Sequence, residues 1–510
     1  MADTTPPLSE LVSWLYGMHK ASASMYDAVR SYAENAEGFY ADELKKAVYA
    51  TERSGADIYT AISDIAGSTK NPPFQKFLSE YLTTVKTSGN PEWYLKKKLE
   101  ELRVEEKTAE EKRASSLSVF AEIFVSVFVA GILFAVIVFL ILGIMSGGSP
   151  LPLGAVVYGI LPLGTAGFLL ALDILCPSPE QPDKRPGRKT VQTADKMTEG
   201  KAAQKSHQYP EKTSEELSSE EQTIRKKLMR YDKHLHGRQF LQSPAAELLK
   251  KPHLIFVFSA PAAVFAGILL FFSAHIPFRF VLPSVFLVCF TPYAVLSLIQ
   301  RKKRSEAEAE FPSVCRIISS AADRGLPLSK CLAAAAKENS GVLKKELTAT
   351  VRDISFGGEV YQSLFRFAER LSFPSAKRTV LFAAETGHYS GDISLPFQTG
   401  ADDAAHSLSL RTGQKSGMQL YVLIMYISYS VFIFVQFILS GVFIDAVSAA
   451  NTAADTGMYL GILTDAVLIH GICCGLAAGK MSGGGISSGI LHACVLLAAG
   501  LAASIAVWIL

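Results

Sequence analysis

Two stretches of this chain repeat one pattern at a separation of 302 residues. Residues 55–97 read GADIYTAISDIAGSTKNPPFQKFLSEYLTTVKTSGNPEWYLKK, and residues 357–399 read GGEVYQSLFRFAERLSFPSAKRTVLFAAETGHYSGDISLPFQT. They align without a gap. A long apolar run follows each copy at the same separation, beginning near Leu117 and near Met418. We therefore interpret the chain as a duplicated unit, in which a polar helical block leads into membrane spans.

The composition excludes an ordinary soluble protein, because 49% of the 510 residues are hydrophobic and the mean hydropathy is +0.24. A transmembrane helix needs about 20 apolar residues to cross the hydrocarbon core. Seven segments are long enough: approximately 118–145, 151–175, 254–272, 280–299, 418–445, 458–478 and 486–510. We predict an all-α membrane protein with about seven spans. The first apolar segment begins beyond residue 110, so we expect no signal peptide.

The basic residues beside these segments predict the topology. They cluster at 112–113, 250–251, 301–304, Arg411, Lys415 and Lys480. The opposite loops carry only Arg279. Since lysine and arginine favour the cytoplasmic side of a membrane, we place the N-terminus inside and the C-terminus outside.

The periodicity of the polar stretches is helical in both copies. Residues 177–222 are instead rich in Pro, Lys, Ser, Glu and Gln and cannot bury enough surface to fold, so we expect disorder there. With a short amphipathic helix at roughly 214–240, this stretch forms a cytoplasmic linker at 176–252. The predicted organisation is a first cytoplasmic bundle at 1–117, a transmembrane hairpin at 118–175, this linker, a second hairpin at 254–299, a second cytoplasmic bundle at 300–417 and three spans at 418–510.

No group of residues in the sequence forms a recognisable catalytic or metal-binding set. The seven cysteines lack the paired spacing of a zinc site. Residues 475–481 resemble a phosphate-binding loop but are one residue short, and Met481 stands where a magnesium-binding hydroxyl belongs. We interpret this stretch as close packing between spans, and we expect no cofactor, no metal and no enzyme activity.

Asp465 and His470 lie within the sixth apolar segment, where an ionisable side chain is costly and therefore a candidate functional residue. Their spacing places them on different helix faces. For Asp465 we favour an interhelical hydrogen bond or cavity lining over a proton relay. A secondary transporter with its site at Asp465 is the alternative function, because duplicated membrane units are common in transporters.

Both copies contain short helix-and-glycine motifs. They lie at 310–312, 322–328, Gly357, Gly358, Tyr361 and 390–392 in the second copy, and at 52–58, 88–90, Tyr94 and Leu95 in the first. These motifs resemble the platform proteins of type IV filament and type II secretion machines, the type II secretion system F domain family. The similarity is greatest to the archaeal branch, which serves the archaellum and type IV pili. We expect the first copy to lack the leading portion and the preceding span that some relatives have.

This resemblance implies a platform in the cytoplasmic membrane that transmits force and performs no catalysis. It also implies its partners: a hexameric secretion ATPase, pilin or archaellin subunits, membrane lipid and a second copy of the chain, with no nucleic acid. We expect the ATPase to dock on basic residues at the inner membrane surface. The candidates are Lys96, Lys97, Lys98, Arg301, Lys302, Lys303 and Arg304.

Overall fold

The computed structural model describes residues 7–87, 89–146, 150–175, 252–273, 277–371, 373–450, 456–482 and 486–509. Every regular element among these residues is a helix, and no strand occurs there. Seven of the helices are long and apolar enough to cross a membrane. The predicted all-α class with about seven spans is confirmed. The predicted linker lies almost wholly outside the described residues.

The described residues divide into two compact units. The polar unit contains residues 7–112 and 303–413, and the span unit contains residues 113–175, 252–302 and 414–509, apart from the gaps given above. The polar unit therefore combines the bundles of both copies.

The helices of the first copy are α1 (Leu8–Lys20), α2 (Met25–Asn35), α3 (Phe39–Ser54), α4 (Ile58–Ser68), α5 (Pro72–Thr87) and α6 (Pro91–Phe124). A π-helical stretch at Val125–Gly131 connects α6 to α7 (Ile132–Ser146). The next span consists of α8 (Leu151–Gly154), a π-helical stretch at Ala155–Ile160 and α9 (Leu161–Leu175).

The described chain resumes with a 3₁₀ turn at Pro252–Ile255, α10 (Phe256–Ser273) and α11 (Phe278–Asp323). The second bundle continues with α12 (Leu328–Glu338), α13 (Leu343–Ser355), α14 (Val360–Leu371) and α15 (Pro374–Tyr389). The last three helices are α16 (Ser394–Ala450), α17 (Thr456–Met481) and α18 (Ile486–Ile509).

Equivalent helices of the two copies begin at equivalent residues. Helices α4 and α14 begin 302 residues apart, at Ile58 and Val360, and α5 and α15 each begin on a proline with the same separation. Proline suits this position because the first helical residue needs no N–H donor. The duplication seen in the sequence is therefore also a duplication of structure.

Asn90 and Asp392, which follow a glycine at equivalent positions of the two copies, have the same structural role, which is to start a long helix. The side chain of Asn90 accepts a hydrogen bond from the backbone N–H of Trp93 at 3.0 Å, and Asp392 accepts one from that of Ser394 at 2.9 Å. Such caps satisfy backbone donors that a helix leaves unpaired at its start. The helices that they begin, α6 and α16, lead from the bundles into the spans.

The predicted boundaries at 117/118, 299/300 and 417/418 fall inside continuous helices, α6, α11 and α16. An α-helix can pass from water into lipid without a break, because it satisfies its own backbone hydrogen bonds. The composition of the chain changes at these boundaries, whereas the helical backbone continues through them.

In the span unit, α17 is the most buried of the seven candidate spans, with 67% of its apolar window buried against 33% or less for the others. It packs most closely against α18. A Cβ atom added at Gly475 would overlap the backbone of Ala493, and one at Gly479 would overlap Gly489. Small residues let two helix backbones approach in a membrane. This confirms the interpretation of residues 475–481 as packing residues.

Candidate functional site at the junction of the two copies

The bundles of the two copies meet within the polar unit, where Phe382 of α15 crosses from one to the other. Its side chain is 5% exposed and packs in the apolar core of the first bundle, although each bundle has a core of its own. Its ring lies against α1 at Gly17, where an added Cβ atom would overlap it. Trp14, one turn earlier in α1, packs edge to face on the same ring. We call this contact region the junction.

An ion pair lies beside this aromatic contact. Glu10 of α1 accepts a charged hydrogen bond from Arg378 of α15, and a fifth of the Glu10 side chain and a third of the Arg378 side chain are exposed. Burial raises the pKa of Glu10 above its ordinary value, although Arg378 acts in the opposite direction. Burial and the charges of Asp403 and Glu106 together outweigh the effect of Arg378 on the pKa of Glu10, whereas the acidic neighbours of Arg378 raise its pKa in spite of burial.

Asp403 of α16 connects three helices at the junction. It accepts a hydrogen bond from the hydroxyl of Ser13 in α1 at 2.7 Å and a charged one from Arg103 in α6. One turn along, His406 of α16 lies 3.0 Å from Glu106 of α6. The two long helices thus run side by side here, tied through charged side chains.

The junction contains a small cavity and a buried polar group. A cavity of about 30 Å³ lies among Glu10, Trp14, Arg378, Phe382 and Asp403. The indole N–H of Trp14 is buried without a hydrogen-bond partner among the described residues. Protein interiors are ordinarily close-packed and their buried polar groups paired, so the cavity and the unpaired indole are local packing defects of this contact.

The three predicted docking lysines of α6 differ in exposure. Lys96 and Lys97 are exposed, and the Lys97 ammonium lies 5.1 Å from the centre of the Trp93 ring. Lys98 is only 8% exposed and pairs with Glu80 at 3.3 Å and Glu101 at 3.2 Å. Lys98 is therefore a buried bundle residue, which corrects its assignment to a docking surface. The sequence pattern missed this because its partner Glu80 lies on another helix.

The four basic residues at 301–304 occupy consecutive positions of α11. Lys302 and Lys303 are exposed, while Arg301 and Arg304 are half-buried. Arg304 pairs with Glu308 at 3.2 Å, and Glu308 also binds Arg411 of α16 at 2.6 Å.

Asp465 and His470 are held by different neighbours in the span unit. Asp465 accepts a hydrogen bond of 2.5 Å from the hydroxyl of Tyr158, which lies in the π-helical stretch before α9. His470 is completely buried, with its ring 4.4 Å from that of Phe432 between centroids and its Nε2 3.3 Å from the sulfur of Cys474.

Sequence reasoning missed a second polar contact of the same two helices. Lys480 of α17 pairs with Asp173 of α9. Tyr158 and Asp173 are as far apart along one helix as Asp465 and Lys480 along the other. That equal spacing is a signal in the sequence, but it becomes visible only once the two helices are known to be parallel neighbours.

Among the described residues, no three His, Cys, Asp or Glu side chains are grouped so that they could hold a metal ion. The junction and the polar contacts of α17 instead connect helices to each other.

Comparison with known proteins places this duplicated architecture in a family. The family model described as type II secretion system protein F matches the chain twice, at residues 12–139 and 314–441. These ranges have the same separation as the repeat and together cover half of the chain. No curated protein and no solved structure shows significant similarity to it. The chain belongs to the type II secretion system protein F family, whose members are multi-pass membrane platforms for secretion or pilus assembly.

Proposed function

We propose that this protein is the membrane platform of an archaeal-type type IV filament machine, an archaellum or a pilus. In this proposal the N-terminus and both bundles lie in the cytoplasm. A separate hexameric secretion ATPase acts on the bundles, and the platform passes the motion to pilin or archaellin subunits in the membrane. A second copy of the chain completes the platform.

One observation carries this proposal, namely that each copy contributes a continuous helix shared by a bundle and a span. Helices α6 and α16 begin at the equivalent caps Asn90 and Asp392 and have membrane-spanning apolar stretches further along. They are tied to each other by the Arg103–Asp403 and Glu106–His406 contacts. A displacement applied to one bundle therefore acts on two helices that lead into lipid.

Helices suit this role because bending one inside the membrane would expose backbone groups that lipid cannot hydrogen-bond. In this scheme the contact between the two bundles can rearrange at the junction, because the junction contains a cavity and a desolvated carboxylate. The platform needs no reaction of its own in this scheme, because the ATPase supplies the energy.

The docking residues predicted from charge remain part of the proposal, with one change. Lys96 and Lys97, beside the exposed Trp93, form one candidate contact, and residues 301–304 form another. Lys98 is left out because its charge is neutralised inside the bundle.

The test is to uncouple the junction in cells that assemble filaments. Gly17→Leu would displace Phe382, and Phe382→Ala would remove the ring without adding bulk. We expect both variants to reach the membrane at the wild-type level and to lose filaments by electron microscopy. Gly67→Leu is the matched control, because a side chain at Gly67 of α4 meets open space. Wild-type filament numbers in both junction variants would refute the proposal.

A substitution at Asp465 separates the platform from the alternative of a secondary transporter. Since Asp465 binds Tyr158, we expect Asp465→Asn to retain the interhelical hydrogen bond and leave filaments intact. A transporter would lose substrate uptake with this change and would keep filaments when either bundle is disrupted.

A further inference from the structure

One helix of the second bundle presents cations that nothing in the described structure neutralises. Lys344, Lys345 and Arg352 of α13 are exposed and form no ion pair among the described residues. The two carboxylates of α13 are engaged elsewhere, since Arg370 of α14 binds Glu346 at 2.8 Å and approaches Asp353 at 3.9 Å. The helix therefore has a positive outer face.

Phe356 stands at the end of the same helix. It is 84% exposed, more than any other large hydrophobic side chain in the described polar unit. The turn after it is built from two glycines: Gly357 has a φ of +93°, and a Cβ atom at Gly358 would lie 2.7 Å from the carbonyl oxygen of Asp353. The glycine pair of the repeat thus ends the helix tightly and leaves Phe356 pointing away from the core.

The equivalent helix of the first copy, α3, shows that this face is not required by the fold. There Lys45 pairs with Asp42 at 2.8 Å and Lys46 with Glu43 at 2.6 Å. Arg53 lies over the ring of Tyr49, and a serine, Ser54, occupies the position equivalent to Phe356. The two helices have the same place in the repeat, but they differ in their cations: on α3 two lysines pair with carboxylates and Arg53 lies over Tyr49, whereas on α13 Lys344, Lys345 and Arg352 form no ion pair in the part of the chain that the structure describes.

We propose that Lys344, Lys345, Arg352 and Phe356, here called the α13 face, form the docking surface for an acidic patch of the secretion ATPase, with Phe356 entering an apolar pocket on it. This inference rests on the proposed function and assigns its motor contact to the second copy. Protein interfaces commonly combine a buried aromatic anchor with a polar rim. The cations steer the encounter with an acidic partner, and the ring supplies most of the affinity.

The test measures binding of the purified ATPase to the full chain in nanodiscs of phosphatidylcholine, at low and at high salt. We expect Phe356→Ala to weaken binding about 30-fold, as loss of an interface hot spot does. Lys344→Glu/Lys345→Glu/Arg352→Glu should weaken binding at low salt and reverse its salt dependence, because salt screens the repulsion between the new carboxylates and an acidic partner. The matched control is Lys45→Glu/Lys46→Glu on α3, which should bind within about twofold of wild type because it lies outside the proposed contact.

The possible results separate this inference from the proposed function. If the wild-type chain binds the ATPase but both α13 variants bind equally well, or the α3 control weakens binding as much, the α13 face is not the dock and the platform function stands. If the wild-type chain does not bind the ATPase at all, the proposed coupling itself fails. Binding of the nanodisc-embedded chain to phosphatidylglycerol vesicles tests for a lipid contact. If this binding depends on the cations of the α13 face but not on Phe356, the inference is overturned in favour of anionic headgroups.

Discussion

The rings of Trp14 and Phe382 pack edge to face with their centroids 5.2 Å apart, although one residue belongs to each copy of the repeat. The equivalent residues with the two copies exchanged do not repeat this contact. The position equivalent to Phe382 in the first copy is Glu80, which binds Lys98, and the position equivalent to Gly17 in the second copy is Ser319, which bonds to Ser394 at 2.7 Å. The copies are alike in fold but join through two different surfaces.

The first prediction concerns the space that Gly17 leaves for Phe382. Gly17→Ala should destabilise the junction by about 1–3 kcal/mol, because a methyl group would overlap the ring. Unfolding followed by the fluorescence of Trp14, in a chain whose other two tryptophans are replaced by phenylalanine, measures this directly. Gly67→Ala is the control and should be neutral or slightly stabilising, since alanine favours a helix over glycine. Equal unfolding midpoints for Gly17→Ala and Gly67→Ala would show that the Phe382 ring does not need the space at Gly17.

The second prediction concerns the Glu10–Arg378 pair. Arg378→Met alone should destabilise the protein by about 2 kcal/mol, because it leaves a desolvated carboxylate without its partner. The double variant Glu10→Leu/Arg378→Met should recover most of that loss, since neither charge then has to be buried. The double-mutant cycle is measured by chemical unfolding. Additive losses would contradict the prediction.

The same carboxylate predicts a pH dependence. Because the pKa of Glu10 is raised in the folded protein, the folded state holds this proton at a higher pH than the unfolded state does. The contribution of Glu10 to stability is therefore greatest below its unfolded pKa and is lost as the pH rises through the folded pKa. The difference in unfolding free energy between wild type and Glu10→Gln should fall as the pH rises from acid towards neutral. A constant difference would exclude this titration.

The fourth prediction concerns Glu310, which caps a helix distant in sequence. Its carboxylate accepts hydrogen bonds from the backbone N–H groups of Val342 at 2.8 Å and Leu343 at 3.0 Å, at the start of α13. Glu310→Ala should cost about 1–3 kcal/mol, because it leaves these donors unpaired and removes a negative charge from a helix N-terminus. Thermal unfolding measures the effect, with Glu100→Ala on the exposed side of α6 as control. A loss no larger than that of the control would mean that solvent replaces the cap.

The fifth prediction concerns the tight pair of spans. Gly479→Ala should destabilise the span unit strongly, because the added methyl group meets the backbone of Gly489, which cannot rotate away as a side chain can. Gly167→Ala in α9 meets nothing within 4 Å and should change little. Thermal unfolding in detergent compares the two variants. If they unfold at the same temperature, α17 and α18 have room to separate without cost.

Local patterns predicted most of the architecture because helices and spans depend on residues that are close in sequence. The polar stretches of both copies were predicted to be helical and form helices in the structure, and each predicted span falls on helical residues where the structure describes it. The burial of Lys98 was not predicted, because it depends on a residue that is distant in sequence. Its burial depends on Glu80, which reaches it from α5 and not from its own helix.

By itself the sequence determined that the chain is duplicated, helical and membrane-spanning, because hydrophobic period, segment length and turn residues act over one or two helical turns. Only the tertiary structure decided which helix faces meet: that Phe382 enters the core of the other copy, that Glu310 caps α13, and that the cations of α13 stay unpaired while those of α3 do not. These outcomes depend on how whole helices pack, and a side chain's partner across such a contact leaves no periodic trace in the chain.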